Sequence, residues 1–188
     1  MMTPRLSYGL ILLLCMPLAS AAQRHRDPLT QAEINQVRDT SWEPKLRLPL
    51  YVDFARARLV KLDEMRNDSK TKDRGKQTHD LLDDFQLLYD ELNDNIETYV
   101  DRRDDIRKPL RVIIEADTEF QSKLRAVKDA AGVTPAETQQ YEFVLTNAIE
   151  VVDSSVDDHR KLLSDQESLA KQKKLVKDAS KGTGVSPE

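Results

Sequence analysis

His159 and the two carboxylates before it, Asp157 and Asp158, form the densest group of metal-ligating side-chain types in the chain. Imidazole and carboxylate together suit a divalent transition metal, which makes His159 and Asp158 candidate ligands. The competing assignment is a partly buried imidazole bonded to a neighbour. Met65 and His159 are by type able to ligate haem, but no small-residue cavity for one is visible and no cofactor is expected. The pairs Asp83-Asp84, Asp104-Asp105 and Asp157-Asp158 lack the Asp-x-Asp-x-Asp-Gly spacing of a calcium loop and read as solvated helix faces.

A second group is defined by where it falls. Arg58, Arg103 and Asp117 each interrupt an apolar stripe. As a functional group they would form a polar site inside a bundle. As structural residues they would fix helix register through a buried ion pair or a snorkelling arginine, and this is the assignment taken. The di-iron Glu-x-x-His, the zinc-protease His-Glu-x-x-His, the haem-attachment Cys-x-x-Cys-His and Gly-rich phosphate loops are absent from the sequence, and no enzyme is expected. Asn67-Asp68-Ser69 is a glycosylation triplet in a predicted loop.

Helices must position these residues. The chain holds 5 Gly, and 33% of its residues are charged, a composition that favours long amphipathic helices over sheets. Thr30-Gln31-Ala32-Glu33 is a capping box opening a helix to about Thr40. From Leu50 to Arg66 a 100° spacing gathers Tyr51, Phe54, Ala55, Leu59, Leu62 and Met65 on one face, around Arg58. Pro44 and Pro49 fit early helical positions or a kinked entry, and a loop spans residues 67–77.

The third stripe is the longest. It starts at Leu81, Phe85 and Leu88, passes Tyr99, Ile106 and Leu110, and ends at Val127 and Ala131, with Arg103 and Asp117 in seam positions. This heptad spacing predicts one helix of about 54 residues, bent beside Pro109, roughly 80 Å long. A break near Lys108-Pro109 is the alternative. Gly132 is placed at the helix stop and Thr134-Pro135-Ala136-Glu137 at the next start. A fourth helix carries a seam from Tyr141 through Leu145, Val152 and His159 to Leu169 and Val176. The expected architecture is all-α: an elongated antiparallel bundle, in effect a long αα-hairpin with two shorter N-terminal helices. Turning about Val133, it would bring Asp90, Glu91 and Asp94 against the lysines between Lys161 and Lys181.

At the start, Arg5 precedes an apolar run from Leu6 to Leu18, followed by Ala19-Ser20-Ala21-Ala22. That order marks a secretory signal peptide over residues 1–22, leaving a helical domain over 23–177 and a disordered tail over 178–188. Cys15 is the only cysteine, so the exported chain would have neither disulfide nor thiolate chemistry. With Arg5 removed, 28 basic residues face 33 acidic ones. This balance gives no reason to expect a nucleic-acid partner, and the basic stretch Lys171–Lys181 lacks the interleaved aromatics such a role uses.

The stretch Leu29-Thr30 through Arg56-Ala57-Arg58-Leu59, with Asp105-Ile106-Arg107-Lys108, resembles uncharacterised secreted helical proteins of soil bacteria. The resemblance covers less than a third of the chain and implies a bacterial envelope setting, with no activity and no functional residues. The function expected is a non-enzymatic structural or protein-interaction role in the envelope. Its partner would be a protein or a second copy, without membrane contact once the leader is removed. Trp42, Leu46, Leu48 and Leu50 would present the contact, unless they close the bundle end. The alternative is a small-molecule, metal or cofactor carrier with a site between helices.

Overall fold

The computed structural model describes residues 27–182. The leader, Cys15 and the cleavage site lie outside the described residues, as do residues 183–188. Within them are six helices and no strand: α1 (Gln31–Asp39), α2 (Pro44–Asn67), α3 (Arg74–Asp101), α4 (Arg107–Lys128), α5 (Pro135–Thr138) and α6 (Glu142–Gly182). The all-α expectation holds, but the arrangement is a four-helix bundle and not one long hairpin.

Polar contacts fix the directions. Arg47 reaches Asn95 at one end of the α2–α3 pair and Arg66 reaches Thr78 at the other, so the two run antiparallel. Arg111 meets Glu167 and Gln121 meets Asp153, so α4 and α6 are antiparallel as well. The helices therefore alternate up and down. α2 packs beside α3 and α4, and α6 beside α4 and α3. This leaves α3 and α4 facing across the diagonal. Phe85 and Tyr89 of α3 meet Phe120 of α4 there, with ring centroids 5.3 and 6.1 Å apart in edge-on contacts. Leu48, Leu59 and Leu62 from α2 and Tyr141, Leu145, Val152 and Val156 from α6 complete the core.

The single long third helix is the main correction. It breaks at residues 102–106, before Pro109. Arg103 takes a left-handed conformation (φ 61°). The amide of Asp104 donates to the Tyr99 carbonyl and that of Arg103 to the Val100 carbonyl. This is a Schellman stop with arginine in the position that usually holds glycine. Pro109 then falls in the first turn of α4, where its missing N–H costs nothing because the first amides of a helix have no intrahelical acceptor. The stripe from Leu81 to Val127 is buried as expected, but folded onto itself. Arg103 is consequently not a seam residue and stands exposed. The predicted charge register fails for the same reason. α3 runs parallel to α6, with Asn93 opposite Ser155 and His159, so Asp90, Glu91 and Asp94 do not face the lysines beyond residue 170.

Replacing Arg103 by glycine should stabilise the fold by roughly 0.5–1 kcal/mol. Relief of the left-handed strain, about 1–2 kcal/mol, outweighs the extra freedom of glycine in the unfolded chain. Urea midpoints of the two proteins measure this. A lower midpoint for the variant would contradict the turn.

α2 begins at Pro44 and continues through Pro49, the early helical placement of the two prolines, because Pro49 lies early enough that only one carbonyl loses its partner. Other boundaries differ. α3 begins at Arg74, inside the predicted loop. Gly75 lies in its first turn, and a methyl there would stand 2.9 Å from the Gln140 side chain. α4 stops at Lys128 and Gly132 (φ 76°) sits in the loop beyond, while Pro135–Thr138 forms a separate turn before α6. α6 runs to Gly182, past the tail boundary placed at Asp178, since no glycine or proline interrupts 178–181.

Candidate functional site

The interior of the bundle holds one buried polar chain. Tyr89 and Asp117 are fully enclosed and His159 is nearly so. The Tyr89 hydroxyl donates to Asp117 Oδ1 at 2.7 Å, and His159 Nδ1 lies 2.9 Å from Asp117 Oδ2. His159 Nε2 is 3.2 Å from Asn93 Oδ1, and the Asn93 amide donates to Ser155 Oγ. Both ring nitrogens therefore face oxygen atoms, Nδ1 the Asp117 carboxylate and Nε2 the Asn93 amide oxygen. Burial, with the Asp117 carboxylate adding to it, pushes the Tyr89 phenol far above its ordinary value, so it remains a donor. Three of the four bundle helices contribute members, which ties α3, α4 and α6 in one register.

This arrangement separates the predicted metal pair. Asp158 points to solvent while both nitrogens of His159 are engaged inside. No cluster of three His, Cys, Asp or Glu side chains suited to a metal occurs among the described residues. Met65 lies near the C-terminal end of α2, where its carbonyl accepts from Thr71, well away from His159. Of the three stripe-breaking residues, Asp117 alone is in the interior network.

Arg58 serves elsewhere. It donates twice to the Glu33 carboxylate, at 2.7 Å each, and once to the Pro28 carbonyl at 2.6 Å. Glu33 also completes the expected capping box, accepting from the Thr30 amide at 2.7 Å while its own amide donates to the Thr30 hydroxyl. One arginine thus clamps the start of α1 onto α2. The second capping box is only half formed. The Glu137 amide bonds Thr134, but its carboxylate turns to Arg74.

The clamp predicts a pH dependence. Burial raises the Glu33 carboxyl, but its bonds to Arg58 and Thr30 outweigh this and hold it below its ordinary value. A carboxyl whose folded value is depressed stabilises fully above its unfolded value and loses that contribution as pH falls through the folded one. Wild type should therefore exceed Glu33→Gln in stability at neutral pH, and the two should converge below about pH 4. Urea titrations from pH 3 to pH 7 measure the gap, and a constant gap would refute the clamp.

A second place of interest is the end of the bundle where α3 turns into α4. The Ile106 amide donates to Gln166 Oε1 and the Gln166 amide donates to the Asp104 carbonyl, so the turn abuts α6 at Gln166. α6 continues beyond with no helix beside it for roughly 20 Å. Its seam is buried as far as His159, half-buried at Leu162, and exposed from Leu169 onward. Leu169 is 54% exposed, and Leu175 and Val176 are each 70% exposed. Between this helix and the turn lies a groove of about 710 Å³, with Val100, Leu162, Leu169 and Ala170 as its apolar wall and Arg103 and Lys173 among its charged residues.

Trp42 and Leu46 belong to the same end. Arg47 joins Asn95 and stacks on Trp42, 4.2 Å from its ring centroid, while the charge of Lys45 is felt at Asp105. Trp42 follows Ser41 in a left-handed backbone (φ 49° and 63°), a strained pair for non-glycine residues that leaves the indole 56% exposed. Leu46 is also exposed. Leu48 is not part of this surface. α2 is already helical from Pro44, which turns Leu48 fully into the core and leaves Leu50 half-buried.

No family model, curated protein or solved structure matches this chain. Its own geometry is accordingly the ground for a functional reading. That geometry offers two places: a polar interior whose members satisfy one another, and an unpartnered apolar end. Three surface clefts of the described residues are lined by none of Tyr89, Asp117 and His159. The sequence reading missed the groove, because it appears only once α3 and α4 separate. It also missed Tyr89 and Asn93, although Phe85, Tyr89 and Asn93 recur at i, i+4 spacing on α3.

Proposed function

We propose that the chain is an exported, non-enzymatic interaction protein of the bacterial cell envelope that binds a protein partner at the α3–α4 end of its bundle. The observation that carries this reading is the unsupported end of α6, where Leu169, Leu175 and Val176 are exposed beside an apolar groove. A helix continued past its packing neighbours exposes apolar area that a partner can remove from water. The buried network favours a structural role for the interior. Export is supported by the charged, apolar and small-residue order of residues 1–22 and by the resemblance to secreted helical proteins. No helix among the described residues is long and apolar enough to cross a membrane.

A photo-cross-linking residue at Leu169, expressed in cells, tests the reading. A discrete protein adduct is expected there, with none from Phe143, which is exposed at the opposite end of the bundle. The absence of any adduct at Leu169, or equal labelling at both sites, would overturn it.

The groove favours a second reading, a small-molecule carrier. Its size and apolar wall suit an amphiphile, with both cations and carboxylates at its rim. Native mass spectrometry of the purified protein separates the two: a bound small molecule favours the carrier, the bare mass favours the interaction protein.

A further inference from the structure

Leu162, Leu169 and Val176 recur every seven residues and so form one stripe along α6. Leu162 and Leu169 line the groove and Val176 continues the stripe beyond it. Resting on the interaction reading above, we infer that the partner at this end is a second copy of the chain, its α6 lying antiparallel in the groove about a two-fold axis through Leu169.

Charge selects both the occupant and the register. With the axis at Leu169, Leu169 meets Leu169, and each Leu162 lies level with Val176 of the other copy. The same register brings Asp165 level with Lys173 of the other copy, and the symmetry makes that pair twice. Asp165 and Lys173 both line the groove, and neither makes an ion pair among the described residues. Sliding one helix past the other by a heptad toward the C-terminus, so that Leu169 lies level with Val176, aligns Lys171 with Lys174 and Glu167 with Asp178, like charge on like, twice over. Attractive flanking charges in the proposed register and repulsive ones in that displaced register favour the former. A two-fold contact is also closed, each copy filling the other's groove, so association stops at the dimer.

Sedimentation equilibrium of the exported chain should give the mass of a dimer. Leu169→Asp should give a monomer with unchanged helical circular dichroism, since Leu169 lies outside the core. Asp165→Lys should weaken the dimer by about tenfold, as expected for two modest charge pairs turned repulsive, and adding Lys173→Asp should restore it. Leu169→Cys, in a chain otherwise free of cysteine after leader removal, should oxidise to a disulfide-linked dimer, whereas Phe143→Cys should not. A monomer at every concentration without the 169–169 disulfide, or a dimer indifferent to Leu169→Asp, overturns the inference. If that monomer still yields a heterologous adduct at Leu169 in cells, the dimer falls and the interaction reading stands. If it yields none, both fall.

Discussion

Asp117→Leu is expected to destabilise the protein by about 3–5 kcal/mol, a large part of the stability of a domain of this size. The carboxylate is fully enclosed and accepts from Tyr89 and His159. Its loss leaves a phenol and an imidazole buried without their acceptor, and each unpaired group costs its desolvation. The pair also lies where α3, α4 and α6 meet, so no local rearrangement brings in water cheaply. A stronger form of the prediction concerns the whole network. Replacing Asp117 and His159 by leucine and Tyr89 by phenylalanine together should cost much less than the sum of the single losses, because no polar group is then left orphaned. Calorimetric melting of the single and triple variants reads this directly. Additive losses would mean that the three residues do not act as one unit.

Tyr99→Asp and Leu145→Asp should each unfold the bundle. Tyr99 is fully buried at the end of α3, and Leu145 is buried in the first turns of α6. A carboxylate at either place is enclosed in the apolar core, at a cost of several kcal/mol, which the Arg102 guanidinium, 5.3 Å from the Tyr99 ring centroid, offsets only in part at position 99. Tyr99 supplies an internal control. Its hydroxyl is buried with no hydrogen-bond partner among the described residues, and burial raises the phenol above its ordinary value. Tyr99→Phe removes an unsatisfied polar atom while keeping the ring, and should raise stability by about 1 kcal/mol. Helical circular dichroism and melting temperature distinguish these outcomes. An aspartate variant that melts like wild type would contradict the burial.

Much of the fold was legible because apolar periodicity reports burial whatever the topology. Each apolar stripe residue from Leu81 to Val127 is in the core, as are Tyr51, Phe54, Leu59 and Leu62 of α2, whereas Arg103 is exposed. The same periodicity does not report direction. A heptad stripe reads alike on one straight helix and on two helices folded together, because the turn after Asp101 keeps the phase. The clue was Arg103 in an apolar position, five charged residues in succession and a proline shortly after. Arg103 adopted the backbone of a glycine, which no propensity rule foretells. Asp117 and His159 were visible as exceptions to their stripes. Their pairing was not, since it depends on the sharp return of α4 that the periodicity hid. Trp42 and Leu46 were visible for a similar reason, beside two prolines, whereas Leu48 required knowing where α2 begins.

The last turns of α6 have a dynamic consequence. A solitary segment of this length is marginal as a helix in water, and it persists because the packed part of α6 has already nucleated it. Its backbone amides should consequently exchange with deuterium soon after Ala170, while those preceding Leu162 are retained until the whole domain opens. Whatever covers Leu169 and Val176 should slow that exchange, so protection along this one stretch gives a direct readout of occupancy.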